Sequence, residues 1–329
     1  MEIWEDYDRV YHYTTLAGLK GILDTQSLHA THYKYVNDST EMARMLPKLV
    51  ELLHPVAREI ILALSKQHPE VAAKVKKLGG LEAASRSETE KFVRMLSRVT
   101  FGSPMQNRSY YQPYMVSFCG HKSPYERANG LLSQWRAYGK DTGYALVFKT
   151  KELVDLLKAE CARYVYSPGH MSDVVYEGDE EGFKKEFQNL VDVSRNLIRS
   201  ILLGIDANFE PLYIPFITGV SRYKHEGFRE EQEVRILVSP LSRLDAEEVK
   251  RKDPKSWEPH AHKTLKEVHF RDNLSPYIAL FGGEKESLPI ERIIVGPHAN
   301  KELRAERLKK YLAIKDISIE VSCSQTPFM

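Results

Sequence analysis

The chain has 329 residues, 42% hydrophobic and 28% charged, with 47 basic and 45 acidic side chains and a net charge of +2. This composition excludes extensive disorder and supports a substantial core, while the near-neutral balance excludes nucleic-acid binding through bulk charge and leaves only local clustering. Three widely spaced cysteines, Cys119, Cys161 and Cys323, fit a reducing compartment better than a disulfide framework. The acidic start MEIWEDYDRV has no apolar signal segment, and no run approaches membrane-spanning length. We therefore expect a soluble, cytoplasmic protein with no membrane partner.

In chain order, residues 10 to 14 have strand composition, and LAGLKGIL places Leu16, Leu19, Ile22 and Leu23 on one helical stripe capped by Thr14 or Thr15. LHATHYKYV predicts a second strand ending at Asn37-Asp38. From Thr40 to about Lys77, apolar residues recur at helical spacing, and Pro47, Pro55 and Pro69 should start, kink or break those helices. After Gly79-Gly80 a further helix runs to Val99, which completes an all-helical insertion over about 42–108. Its Lys74, Lys76, Lys77, Arg86, Lys91, Arg94 and Arg98 read first as a solvated face and second as a polyanion contact.

Strand character returns at YMVSFCG (114–120) and GYALVF (143–148), followed by a polar helical stretch from about 178 to 209. EEQEVRILVSP (230–240) alternates, with Val234, Ile236 and Val238 on one face and Glu231, Glu233 and Arg235 on the other. A strand near 264–270, the strand IERIIVGP, the helix NKELRAERLKKYL and the strand DISIEVSCS close the chain. Short strands mixed with unequal helices predict an α+β fold around a mixed or largely antiparallel sheet, in a single domain spanning 1–329.

The Rossmann and P-loop fingerprints are absent. His12, His29 and His32 lack the partners and spacing of a zinc set, so no metal is expected. Ser117 and Cys119 read as structural rather than nucleophilic, because VSFCG lacks the first glycine of a nucleophile elbow. Asp38 and Glu41 have capping-box spacing, which leaves Asn37 free to meet a ligand. In LLSQWRAYGKDTGY, Trp135, Tyr138 and Tyr144 beside Arg136 can pack in the core or stack on a planar ring. Glu231 and Glu233 read as a solvent-facing strand or as paired carboxylates for acid/base work and stabilisation of an oxocarbenium-like centre.

VYHYTTLAGLKGILDTQSLHAT resembles the opening of poly-ADP-ribose polymerases and related ADP-ribosyltransferases, and Glu231-Gln232-Glu233 resembles the glutamate motif of that superfamily. Outside the helical insertion the chain is similar to a bacterial domain family of unknown function. The motifs carrying that likeness are Tyr-His-Tyr-Thr, Asn-Asp-x-x-Glu, a Ser-Phe-Ser-like strand at Ser117, Phe118 and Cys119, Trp-x-x-Tyr, and a late Glu-x-Glu-x-Arg ending at Arg235. The polymerases carry glycine where this chain has Tyr13.

The resemblance implies an ADP-ribosyltransferase-like core and an enzyme that splits NAD, as substrate and without a metal. It implies passage of ADP-ribose to a macromolecule, with RNA or DNA favoured over protein, in a toxin or phage-defence effector that an antitoxin could hold. By the same resemblance, His12, the Tyr13 backbone and Thr14 would hold NAD. Glu233 would meet the nicotinamide ribose, Glu231 would orient or deprotonate the acceptor, and Tyr35, Tyr138 or Tyr144 would stack on nicotinamide. Asn37, Ser117, Trp135 and Arg235 complete the expected site. The rival expectations are a non-catalytic nucleotide- or nucleic-acid-binding module and a nuclease or hydrolase using the same carboxylates.

Overall fold

The computed structural model describes residues 2–36, 41–101, 112–139, 143–205, 209–282 and 287–327. The strands in chain order are β1 (Arg9–Thr14), β2 (Ser27–His32), β3 (Tyr114–Cys119), β4 (Tyr144–Lys149), β5 (Tyr166–Asp173), β6 (Val175–Tyr176), β7 (Tyr223–Lys224), β8 (Glu233–Pro240), β9 (His269–Phe270), β10 (Pro276–Phe281), β11 (Ile290–Val295) and β12 (Glu320–Cys323). Ten of them form one sheet in the order β12-β11-β4-β1-β3-β2-β10-β9, with β8 also on β3 and β5 beyond β8. All pairs in it are antiparallel except β11 with β12. The protein is thus mixed α+β, as composition and element order predict.

One face of this sheet is a continuous apolar core. Val10, Leu28, Phe118, Leu146, Phe148, Val234, Ile236 and Ile278 meet there, joined by Leu19, Ile22 and Leu23 from the helix Leu16–Thr25. Thr15 caps that helix, its side chain accepting from the Gly18 backbone N–H at 3.3 Å. The helix packs its stripe onto the sheet and returns the chain to β2, so β1 and β2 sit near each other without pairing.

The expected helical insertion exists as the helices Glu41–Gln67, Pro69–Lys77 and Leu81–Phe101. It does not stand alone. Its buried stripe, including Leu49, Leu53, Ile60 and Phe92, shares a second core with Leu190, Ile198, Phe216 and Ile217 of the helices Gln188–Leu202 and Glu210–Arg222. Pro69 starts a helix, but Pro47 and Pro55 lie inside a helix that runs through both. Two lost backbone hydrogen bonds are outweighed there by the burial of seven turns of apolar stripe. Lys74 and Lys91 both pair with Glu88, and Arg58 with Glu82, so part of the basic run is a salt-bridged helix surface.

Other departures are local. Residues 33–35 form a 3-10 turn instead of continuing β2, the helical stretch extends through Arg222, and β10 is a strand where none was expected. The capping box at Asp38 and Glu41 lies outside the residues whose side chains are described. Among the described residues no helix is long and apolar enough to cross a membrane.

Candidate active-site cleft

The site begins with an unusual edge. β8 pairs with β3 along its whole length, from Tyr114↔Val238 to Cys119↔Glu233, and so occupies one edge of β3. β1 and β2 must share the other. β1 takes only its Cys119 end, through Tyr11↔Cys119, and β2 only its Tyr114 end, through Thr31↔Met115 and His32↔Tyr114. Between them, at Val116, Ser117 and Phe118, no strand among the described residues pairs with that edge, and the sheet opens into a cleft of about 650 Å³. This volume is in the range of small-molecule and cofactor sites.

His12 lies at the opening. It is half-buried on the face that also carries Val10, and its Nδ1 sits 3.0 Å from the Ser117 carbonyl oxygen. A carbonyl only accepts, so Nδ1 carries the proton and donates, and in the neutral ring Nε2 keeps its lone pair for a ligand hydroxyl. Burial lowers the His12 pKa below the ordinary value, partly opposed by the Ser117 hydrogen bond. The imidazole thus takes the place of a missing ladder partner and holds one acceptor ready.

Glu233 approaches from β8. Glu233 is 4% and Arg235 5% exposed, so the strand face that carries them is not solvated; it is covered by β6, β7 and the helix Glu210–Arg222. Glu233 Oε1 accepts from Arg235 Nε at 2.7 Å, and Oε2 accepts from Lys224 Nζ at 2.7 Å and Arg235 Nη2 at 2.9 Å. Its backbone N–H donates to the Tyr176 hydroxyl at 2.8 Å. Burial alone would raise the Glu233 pKa, but Arg235 and then Lys224 outweigh it and bring it down to about 2. Glu233 is therefore ionised at all ordinary pH values.

Glu231 does not belong to the strand. It ends the 3-10 turn Glu226–Glu231, and Gln232 follows in the left-handed region at φ 45 and ψ 53. Strand alternation therefore does not place the two acids; this kink does, and it brings Glu231 Oε2 to 2.7 Å from the same Lys224 Nζ that holds Glu233. Lys224 is buried and its ammonium also lies 4.7 Å from the Phe228 ring centroid. Two acids and two cations thus share one cluster on the cleft wall.

Nine expected residues line this cleft: Glu231, Glu233, Arg235, His12, Tyr13, Thr14, Tyr35, Ser117 and Tyr138. Asn37 lies outside the described residues. Two expectations are corrected. Trp135, 5% exposed, packs edge-on against Tyr13 and donates from Nε1 to the Asn129 carbonyl at 3.0 Å, and Tyr144, 3% exposed, lies in the sheet core; neither lines the cleft. Tyr35 and Tyr138, 51% and 37% exposed, line it, with the Tyr35 ring edge-on to His32. Tyr13 contributes from behind, its hydroxyl bound to His121 Nε2 at 2.7 Å and accepting from the Leu131 N–H at 2.7 Å.

Ser117 is exposed in the cleft, but His12 binds its carbonyl rather than its hydroxyl, so no serine–imidazole pair forms. Burial, with Glu231 and Glu233 nearby, pushes the Cys119 thiol well above its ordinary value, which makes it a poor nucleophile. His29 stacks on Tyr277 and His32 meets Gln112, and among the described residues no group of three or more His, Cys, Asp or Glu could hold a metal. Lys224, Tyr176 and Arg271 were not anticipated. Lys224 stands in YKHEGF with no pattern of its own, and only the turn before Gln232 brings it to the glutamates.

A family model described as a protein of unknown function (DUF2971) matches residues 134–236, a segment that contains Lys224, Glu231, Glu233 and Arg235 and excludes His12 and Ser117. No curated protein and no solved structure matches the chain.

Proposed function

We propose that the cleft binds NAD and transfers ADP-ribose to a macromolecule. The observation that carries this reading is that His12 and the Glu231–Glu233 pair, some 220 residues apart in the chain, line one cleft of about 650 Å³ at the split in the sheet. His12 Nε2 accepts from a ribose hydroxyl of NAD. Glu233, fixed and ionised, stabilises the positive charge that develops as the C1′–N glycosidic bond breaks and its electron pair leaves with nicotinamide. The acceptor's nucleophilic O or N forms the new bond at C1′ and gives its proton to Glu231. Lys224, bound to both carboxylates, keeps Glu231 beside Glu233 at the reacting centre.

A second reading is favoured by one observation: both Glu233 oxygens already accept from Arg235 and Lys224, an arrangement that suits a nucleotide-binding module without chemistry. The test is to incubate the purified chain with NAD and follow free nicotinamide by chromatography. Release above a no-protein blank, with ADP-ribose on added RNA, DNA or lysate protein and both reduced in Glu231→Gln, supports transfer; NAD binding without release supports the module.

A further inference from the structure

The outer end of the cleft carries a feature that the donor chemistry does not use. Cross-strand pairs in an antiparallel sheet share a face, so Tyr277↔Thr31, Ala279↔His29 and Tyr277↔His269 place His29, Thr31, Tyr277 and His269 on one face of β2, β10 and β9. The His29 and Tyr277 rings are stacked, with centroids 4.1 Å apart and planes at 27°. His269 lies 5.6 Å from Tyr277, and the Arg271 guanidinium lies 5.4 Å from the same ring while Nη2 donates to Thr31 Oγ1 at 3.2 Å. His29, His269 and Arg271 are exposed.

This rank is continuous with the cleft, which His29, Thr31 and Arg271 help to line together with Tyr35 and Tyr138. Burial, then Arg271 and His269, lower the His29 pKa, which leaves a neutral π surface. Exposed acids, Glu267 and Asp272, lie in the same segment as Arg271, so net charge is not what the face offers. It offers stacked planar faces with one oriented guanidinium. Those suit an unpaired base with its flanking phosphate, whereas a duplex keeps its base faces stacked on one another.

We propose that the face of His29, Tyr277 and Arg271 is the acceptor subsite and that it takes single-stranded nucleic acid, with one base against the His29–Tyr277 stack and Arg271 on the adjacent phosphate. The role as acceptor rests on the transferase reading above; the binding itself does not. The test is fluorescence anisotropy of the full chain with labelled ten-nucleotide single-stranded RNA and DNA, without NAD, so that it reads base binding alone, while nicotinamide release without nucleic acid reads the donor reaction alone.

The expected result is salt-sensitive binding of a single strand and not of the matching duplex. Arg271→Gln and His29→Ala, both at exposed positions, each weaken it about tenfold, the scale of one lost stacking or cation contact. Phe270→Ser, on the opposite face of β9, binds as the parent does. No single-strand binding at low salt, equal binding of duplex, or parent-like binding by both variants would overturn the proposal. So would an Arg271→Gln variant that loses affinity for NAD and keeps it for the oligonucleotide, which would assign the face to the donor's own base.

Discussion

Lys224 governs how the two glutamates behave. It binds both, at 2.7 Å each, from a buried position, so Glu233 stands between two cations and Glu231 beside one. Glu233→Gln keeps the shape and removes the charge. We expect at least a ~100-fold loss of transfer, the scale of removing one preorganised electrostatic group. Removing the charge that Arg235 and Lys224 both bind in this buried cluster should also cost about 3–5 kcal/mol. Retention of both transfer and stability in that variant would move the reactive role elsewhere. His12→Ala removes a half-buried ring from the cleft opening, and isothermal titration should show weaker NAD binding with a nearly unchanged melting temperature; unchanged affinity would return His12 to a packing role. The motif Glu231-Gln232-Glu233 was readable as paired acids with Arg235 beside them, but Lys224 was not readable as their partner. Lys224 reaches them through the turn Glu226–Glu231, which strand alternation does not predict, and composition alone could not tell that Trp135 and Tyr144 face the core while Tyr35 and Tyr138 face the cleft.

At the level of elements, the deciding piece is the junction of the turn Glu226–Glu231 with β8. Gln232 holds a left-handed conformation at φ 45, which costs a non-glycine residue about 1 kcal/mol and a β-branched one more. Gln232→Gly should leave stability equal or slightly higher, and Gln232→Val should lower it by about 1–2 kcal/mol with a matching loss of transfer, as urea unfolding and nicotinamide release will read. Equal stability of the two variants would mean that the kink is not what sets the acids. Strict alternation predicted a strand from residue 230, and one left-handed residue ended that pattern. Helical stripes were more legible, because several turns of 3.6-residue spacing average out local exceptions; the run through Pro47 and Pro55 shows the limit, since packing against a second helical layer cannot be read from a single segment.

Across the whole molecule, buried histidines set an acid limit. Burial lowers the pKa of His32, His121 and the half-buried His170 to about 4 each, against an ordinary 6.5. The unfolded chain takes up these protons near 6.5 and the folded chain refuses them until near 4. Stability is therefore full above pH 6.5 and falls as pH drops toward 4, by at most about 1.4 kcal/mol per pH unit for each histidine. Glu233 adds a later loss as pH falls from 4.5 toward 2. Urea midpoints at pH 7.5 and pH 5 should differ clearly, and equal midpoints would contradict this assignment.

The sheet split itself was not legible from sequence. It arises because β1 and β2 share one edge of β3, a relation among three strands separated by a helix and a helical insertion. That split joins His12 to Glu231 and Glu233, and the central claim is that the joined site cleaves NAD. Nicotinamide release by the parent chain and by Glu231→Gln, with single-stranded RNA, DNA or cell lysate supplied as acceptor, tests it most directly. The account predicts release by the parent, accompanied by ADP-ribose on the acceptor, and a large loss in the variant; no release above blank with any acceptor would contradict it.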